Sequence, residues 1–291
     1  MEALPNAAEV ALAKAVRTLG GAGFEGALSG FLRRGIDCNN VVVIAYRRAG
    51  APEVLYEQAD DPVVFRNLRR VYVAGAYLLD PFHDLHLNRI APGAYRLLDI
   101  APDQFQRSQY YLDYYRQTTL IDELTFVSYP DADTTLNICL GRDASIPRPF
   151  GLRARAVAAR IAPVVAALAD RHWQAYRANP VSAPAAAAQP GETRGAGEAR
   201  EAGEAREAGE ALPERLRRVL GESHAIRLSP RQAQVALLIL QGHSSVSIGL
   251  RLGVSPQTVK VFRRQIYARC AISSQAELFA LLLPLLTAQA A

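Results

Sequence analysis

The stretch SPQTVKVFRRQIY (Ser255–Tyr267) decides how the C-terminal part of this 291-residue chain is read. Ser255 can cap a helix, and Pro256 fits the first helical position because its missing N–H would have no partner there. Val259, Phe262, Ile266 and Tyr267 fall at helical spacing and can face inward. Thr258, Lys260, Val261, Arg263 and Arg264 are left facing outward or sideways. The chain has two lysines, Lys14 and Lys260, and the second stands here beside a pair of arginines. A helix fits the major groove of DNA, where its early turns must offer donors and a methyl-bearing surface to base edges. Lys260 and Arg264, one turn apart, point the same way, and Val261 can touch a thymine methyl. Ser255, Gln257 and Thr258 sit where short polar groups and helix N–H groups meet phosphates.

The flanking sequence supplies the rest of a helix-turn-helix. Ser229-Pro230 opens a helix that buries Val235, Leu238 and Ile239 and stops at Gly242. SVSIGLRL (Ser245–Leu252) is a short second helix, and Gly253-Val254 makes the turn. Ser273-Ser274 caps a fourth helix, QAELFALLLPLL, interrupted by Pro284. A basic amphipathic helix alone is more often the solvated side of a small bundle. The four-helix pattern as a whole favours the DNA-binding reading.

Charge is divided to match. From Pro213 onward there are ten Lys or Arg against three Glu, a balance of +7, and the chain carries +5, so residues 1–212 hold −2. A basic module on a mildly acidic partner suits a polyanion such as double-stranded DNA.

Residues 228–279 resemble the C-terminal DNA-binding domain of the LuxR family. Leu228, Arg231, Val235, Gly242, Ser244, Ile248, Leu252, Ser255, Thr258, Val259, Lys260, Ile266 and Ser274 carry the likeness. The resemblance implies that Lys260, Val261 and Arg264 read bases, and that Ser255, Thr258 and Arg263 touch the backbone. It also implies a homodimer joined through the last helix at Leu278, Leu281 and Leu282. Four features depart from the family pattern. Gln232 and Gln234 replace paired glutamates, and Ser245-Val246-Ser247-Ile248-Gly249 stands where the family has N-K-E-I-A. Phe262 replaces a histidine, and Ala271 a glycine. Losing the basic residue of N-K-E-I-A should flatten the salt dependence of DNA binding by roughly one unit.

Between the two halves lies a segment without a large apolar side chain, in which GEAREA runs Gly197–Ala202 and again Gly203–Ala208. It cannot contribute to a core, and a glycine every six residues costs a helix about 1 kcal/mol each. Three parts are expected: 1–176, a flexible linker 177–212, and 213–291. The first part reads as strands at Val41–Tyr46 and Glu53–Gln58, a helix over Asp61–Leu79, a strand at Gly93–Ile100 and a helix over Pro102–Leu120. A hairpin over Leu124–Asp143 and a closing helix over Pro147–Tyr176 follow. This suggests an α+β sensor domain, GAF/PAS-like, with an antiparallel sheet and flanking helices, beside a small all-α domain.

A small-molecule effector is the expected signal. Ala76–Tyr95 resembles the autoinducer-binding domain of quorum-sensing LuxR proteins, in which an Asp-Pro pair holds a ligand amide and an aromatic fifteen residues on bonds its carbonyl. Asp80-Pro81 and Tyr95 keep that spacing, and Tyr72 and Tyr77 are the nearest upstream aromatics. The pocket is expected to be lined by these with Tyr110, Tyr111, Tyr114 and Tyr115. A buried Asp80 that merely caps a helix is the plainer alternative. A phosphorylation receiver is disfavoured, because the only lysine before the linker is Lys14. Gly21-Ala-Gly23-Phe-Glu-Gly26 precedes the first strand, so it reads as a helix stop and loop rather than a dinucleotide motif. His83 and His86 offer a weak metal reading, in which the chain would be a DNA-tethered metal-binding protein or enzyme. A third alternative is gating by a protein partner on an exposed tyrosine surface. No catalytic constellation, cofactor or membrane span is evident. Three isolated cysteines (Cys38, Cys139, Cys270) and the lack of a signal-type N-terminus fit a cytoplasmic protein.

Overall fold

The computed structural model describes residues 4–47, 50–178 and 211–287. Strand β1 (Asn40–Arg47) is flanked by β2 (Glu53–Ala59) and β5 (Thr134–Asp143), and β4 (Leu120–Ser128) and β3 (Gly93–Arg96) complete an antiparallel sheet in the order β2-β1-β5-β4-β3. The α+β class expected for the N-terminal part is the one observed.

Successive strand residues point to opposite faces, so each strand serves two cores. Val41, Val43, Leu124, Phe126, Leu136 and Ile138 pack with α1 (Asn6–Arg17), α2 (Phe24–Ile36) and the long helix Leu152–Ala178. Val42, Ile44, Tyr46, Val127 and Cys139 face the other way, into an aromatic layer.

That layer is where sequence periodicity misled. Instead of one helix over Asp61–Leu79, the chain makes turns, a π-helical turn at Leu68–Val73 and a 3₁₀ turn at Ala76–Leu79. Asp61 Oδ1 accepts only the local Val63 N–H (2.9 Å), and Gly75 at φ 153° breaks the run. Helix α3 (Pro81–Leu87) then starts under an Asp80 cap, and the expected strand Gly93–Ile100 ends at Arg96, where α4 (Leu97–Ile100) begins. Pro102–Leu120 is likewise divided into a 3₁₀ turn (Phe105–Arg107), α5 (Gln109–Asp113) and a second 3₁₀ turn (Tyr115–Thr118). The reason is aromatic packing. The Phe105 ring lies 6.1 Å from Tyr110 and 5.5 Å from both Tyr111 and Tyr115. At 3.6 residues per turn, one continuous helix would aim Phe105 away from Tyr110. Burying these rings outweighs helix propensities of a few tenths of a kcal/mol.

With the helix Leu152–Ala178 as α6, the C-terminal part holds α7 (Leu212–His224), α8 (Pro230–Gln241), α9 (Ser245–Leu252), α10 (Pro256–Cys270) and α11 (Gln275–Thr287). The caps read from sequence are formed: Ser229, Ser255 and Ser274 each accept the backbone N–H three residues on, and Ser244 does the same for the helix after it. Gln232 closes a capping box on the Ser229 N–H and bonds Gln265 of α10 at 2.9 Å, so a neutral amide pair stands where the family has a glutamate. Gly249 earns its place: a Cβ there would lie 2.7 Å from the Val254 carbonyl.

Helix α7 was not anticipated. It buries Leu216, Val219 and Leu220 and packs against α8 and α11. Of the residues expected at a dimer contact, Leu278 and Leu282 have no exposed surface: they fill the protomer's own core, with Leu281 packed beside it. Of the expected linker, residues 179–210 lie outside the described residues.

The two parts touch through the aromatic layer. Gln104 N–H donates to the Gly242 carbonyl (3.1 Å), Ser244 N–H to Asp103 (2.9 Å), and the Gln241 amide to Asp84 (3.0 Å). Gly242 is required twice, since its φ is 99° and a Cβ would meet Ser108 at 2.8 Å.

Candidate nucleic-acid interface and sensor cavity

The caps and buried face of α10 determine what it shows to solvent. Val259 and Ile266 are fully buried, with Phe262 and Tyr267 packed against the same core. That leaves Gln257, Lys260, Val261 and Arg264 exposed, Val261 at 42%. Ser255 is exposed but spends its hydroxyl on Thr258, accepting from its N–H (3.0 Å) and lying 2.8 Å from its hydroxyl. Arg263 is half-buried and its Nε is without a partner, so it lies at the edge of the face rather than at its centre. The exposed face combines one lysine, one arginine and a branched apolar side chain. It stays open while the two parts of the chain are in contact.

In the N-terminal part, Asp80 and Tyr72 are brought together as expected. Asp80 is buried; its Oδ1 accepts the Phe82 N–H (2.9 Å) and its Oδ2 the Tyr72 hydroxyl (2.6 Å). Tyr46 shares a further short hydrogen bond with Tyr72. Asp80 is therefore a helix cap and also a cavity wall. With Val42, Ile44, Phe65, Leu68, Leu120 and Cys139, it encloses about 30 Å³ together with Tyr72, Tyr110, Tyr114, Tyr115 and Glu123. That is about one water molecule's share of the liquid.

Other expected residues fall elsewhere. Tyr95 is not among the lining residues: on β3 it donates its hydroxyl to the Ala91 carbonyl (2.7 Å), because its strand position faces the loop before it. Tyr77 is buried edge-on against His83, 5.1 Å between centroids, on the side of the layer towards Arg215. Tyr111 stacks on Tyr115 without reaching the cavity. Glu123 was missed, although a signal existed. In LIDELTFVS it shares parity with Thr125 and Val127, so alternation alone places an acid on the core side.

The metal reading finds no support in the arrangement. His83 and His86 lie among rings, and His86 is hydrogen-bonded to Thr135 (2.8 Å). Among the described residues no group of three or more His, Cys, Asp or Glu is placed to hold an ion. The tyrosines Tyr72, Tyr110, Tyr114 and Tyr115 are buried, which removes the exposed surface that a protein-gated reading requires. A wider groove of about 930 Å³ runs along α1 and α2 beside Lys14, Arg17 and Arg34. No helix among the described residues is long and apolar enough to cross a membrane.

Burial raises Asp80 from the ordinary carboxylate range to about 6, opposed by the Tyr72 and Phe82 hydrogen bonds. Burial also raises Glu123 well above its usual value, with Asp80 and Asp122 adding to the effect. The folded Asp80 thus holds its proton where the unfolded one has lost it. Its contribution to stability is full below about pH 4, falls as pH rises, and is gone above about pH 6. Buried neutral His83, lowered to about 3, acts in the opposite sense, so the whole-protein curve mixes both. The Asp80→Asn variant isolates the carboxyl. Relative to the parent, it is expected to gain stability between about pH 4 and pH 6 and to show a constant difference above. Urea denaturation at a series of pH values measures it, and a difference independent of pH would refute the assignment.

A basic helix-turn-helix with an open reading face, joined to an α+β domain with a small aromatic cavity, defines a DNA-binding regulator. Residues 227–282 match the family model of bacterial regulatory proteins, luxR family (GerE). The C-terminal part of the chain is a LuxR-family helix-turn-helix domain. A curated Aeromonas salmonicida protein, whose name assigns it to the HTH-type transcriptional regulators in the exeN 3′ region, is 27% identical over 207 residues, 70% of this chain and 93% of that protein. Among solved structures, the VqsR LBD domain from Pseudomonas aeruginosa is 26% identical, covering 58% of this chain and 99% of that one at a TM-score of 0.49. Escherichia coli SdiA is 12% identical, covering 96% and 97% at a TM-score of 0.40.

Proposed function

We propose that this chain is a transcriptional regulator in which residues 1–176 sense a small molecule and residues 213–291 bind double-stranded promoter DNA. The observation that carries the reading is the outward face of α10, with Lys260, Val261 and Arg264 exposed over buried Val259 and Ile266. Lys260 and Arg264 donate to base edges, Val261 contacts a thymine methyl, and Gln257 and Thr258 meet the backbone. Ser255 orders the first turn, and Arg263 supplies a phosphate contact from the edge. The protein works in the cytoplasm as a homodimer on half-sites about one DNA turn apart, through a surface other than Leu278 and Leu282. The effector occupies the cavity at Asp80, Tyr72 and the tyrosine layer. Coupling runs through the contact of Asp84, Asp103 and Gln104 with the Gln241–Ser244 segment, since the layer that walls the cavity also holds α8. A ligand that prefers one arrangement of that layer shifts the population of DNA-competent arrangements.

The test is selection from a random duplex pool by the full chain, with and without a metabolite panel containing acyl-homoserine lactones. One enriched, two-fold-related sequence is expected, with affinity that changes when an effective metabolite is added. Equal retention of all duplexes, with or without metabolite, would overturn the reading.

A further inference from the structure

The cavity beside Asp80 has an electrostatic character that the fold does not require. Two carboxylates, Asp80 and Glu123, line it, and no lysine, arginine or histidine is among its lining residues. Asp84 and Asp122 also act on them and are acidic, Asp122 being paired with Arg96 outside the lining at 2.7 Å. Asp80 has partners in Tyr72 and Phe82. Tyr115, only 4% exposed, lines the cavity beside the Glu123 carboxyl, which its hydroxyl helps to hold down, yet that hydroxyl has no partner at full hydrogen-bond geometry. A buried hydroxyl without a partner costs about 1–3 kcal/mol, and buried carboxylates without a counter-charge cost more. Such an arrangement is tolerated where a ligand completes it.

We infer that the cavity is the receptor for the primary ammonium head of a small organic amine. The inference rests on the sensor reading above and names the ligand's chemical class. A protonated primary amine has three N–H donors and no acceptor. The site offers three kinds of acceptor: the Asp80 carboxylate, the Glu123 carboxylate and the Tyr115 hydroxyl oxygen. The volume agrees, since an –NH₃⁺ group is about the size of a water molecule and the cavity holds about 30 Å³. A trimethylated ammonium is several times larger and has no N–H to give. Tyr110 and Tyr114 are among the lining residues, and an aromatic ring within about 6 Å of an ammonium adds cation–π attraction, stronger where water is excluded. The carbon chain of the amine leaves past Phe65 and Leu120, which with Glu123 are the half-buried members of the lining.

The experiment uses the full chain at neutral pH, with calorimetric titration and thermal shift. The probes are butylamine, its neutral counterpart butan-1-ol, choline, and an acyl-homoserine lactone. Butylamine is expected to bind and to raise the melting temperature, with butan-1-ol and choline weaker by about tenfold or more. Glu123→Gln should weaken butylamine by about tenfold while raising the melting temperature of the ligand-free protein, because the cost of holding a proton on a carboxyl that is ionised in the unfolded chain is removed. Asp80→Asn provides the second, independent loss, and its Asn can still cap α3. Equal binding of butan-1-ol and butylamine, or an unchanged affinity in folded Glu123→Gln, overturns the inference. A shift with the lactone but not with butylamine overturns it while leaving the sensor reading in place. No shift with any probe counts against both.

Discussion

The double variant Lys260→Ala/Arg264→Ala is expected to lose about 100-fold or more in affinity for its specific duplex, with almost no change in melting temperature. Each good base contact is worth about 1–3 kcal/mol of discrimination, and the two side chains lie one turn apart on the same exposed face of α10. Neither fills the core, so stability should stay within about 0.5 kcal/mol of the parent. Val261→Ala should cost less, and mainly where a thymine is read. Arg263→Ala should differ in kind: as a phosphate contact at the edge of the face, it should weaken all duplexes alike and reduce the salt slope by about one. Fluorescence anisotropy over a salt series, with a thermal melt of each variant, separates these outcomes. If the double variant unfolds instead, α10 is a structural helix and the DNA-reading assignment is wrong.

Leu278→Ala is expected to destabilise the C-terminal part by about 2–5 kcal/mol, the usual range for emptying a leucine site in a closed core. Leu278 has no exposed surface and lies with Leu282 among the residues packed under α7 and α8. The distinction from a dimer contact is made by concentration. A residue of the protomer core lowers the denaturation midpoint equally in dilute and concentrated protein. A residue at a subunit interface gives a midpoint that rises with concentration. Urea denaturation of Leu278→Ala and Leu281→Ala at two concentrations settles the matter. A loss seen only in concentrated samples would restore the last helix as the dimer seam. Leu281 is half-buried and should cost less than Leu278.

How much was legible varied along the chain, and the variation has a physical cause. In the C-terminal part three helix starts carry a signal that was read: Ser229-Pro230, Ser255-Pro256 and Ser274 cap as expected, and Ser244 caps in the same way. These are local hydrogen bonds, fixed by residues three apart, so a sequence states them directly. Helix α7 escaped because its buried leucines follow a glycine- and alanine-rich segment and were read with the charge around them. In the N-terminal part the strands were legible from runs rich in β-branched and aromatic residues bounded by turns, and β1 and β2 fall within a residue of expectation. The helices facing the cavity were not. A run such as PDQFQRSQYYLDYYRQTT has helical spacing, yet its rings pack around Phe105 only if the helix is broken. Tyr72, from the π-helical turn, packs on Tyr114 with ring centroids 5.4 Å apart, and no local rule contains that contact.

The same division holds for function. By itself the sequence determined that α10 would expose Lys260, Val261 and Arg264, because capping and a 3.6-residue period leave those side chains no inward option. It also offered Asp80 as a helix cap, one of two readings, since an Asp-Pro pair carries that geometry locally, and the cap is formed. Only the tertiary structure decided what surrounds Asp80. Tyr72 meets it from a π-helical turn, Glu123 from the far strand of a hairpin, and Tyr115 from a broken helix, while Tyr95 turns away to its own loop. Likewise Leu278 and Leu282 look in sequence like a free apolar stripe, and the presence of α7 makes them core. Local hydrogen bonding is written in neighbouring residues, whereas the lining of a cavity depends on which distant side chains compete for the same buried volume.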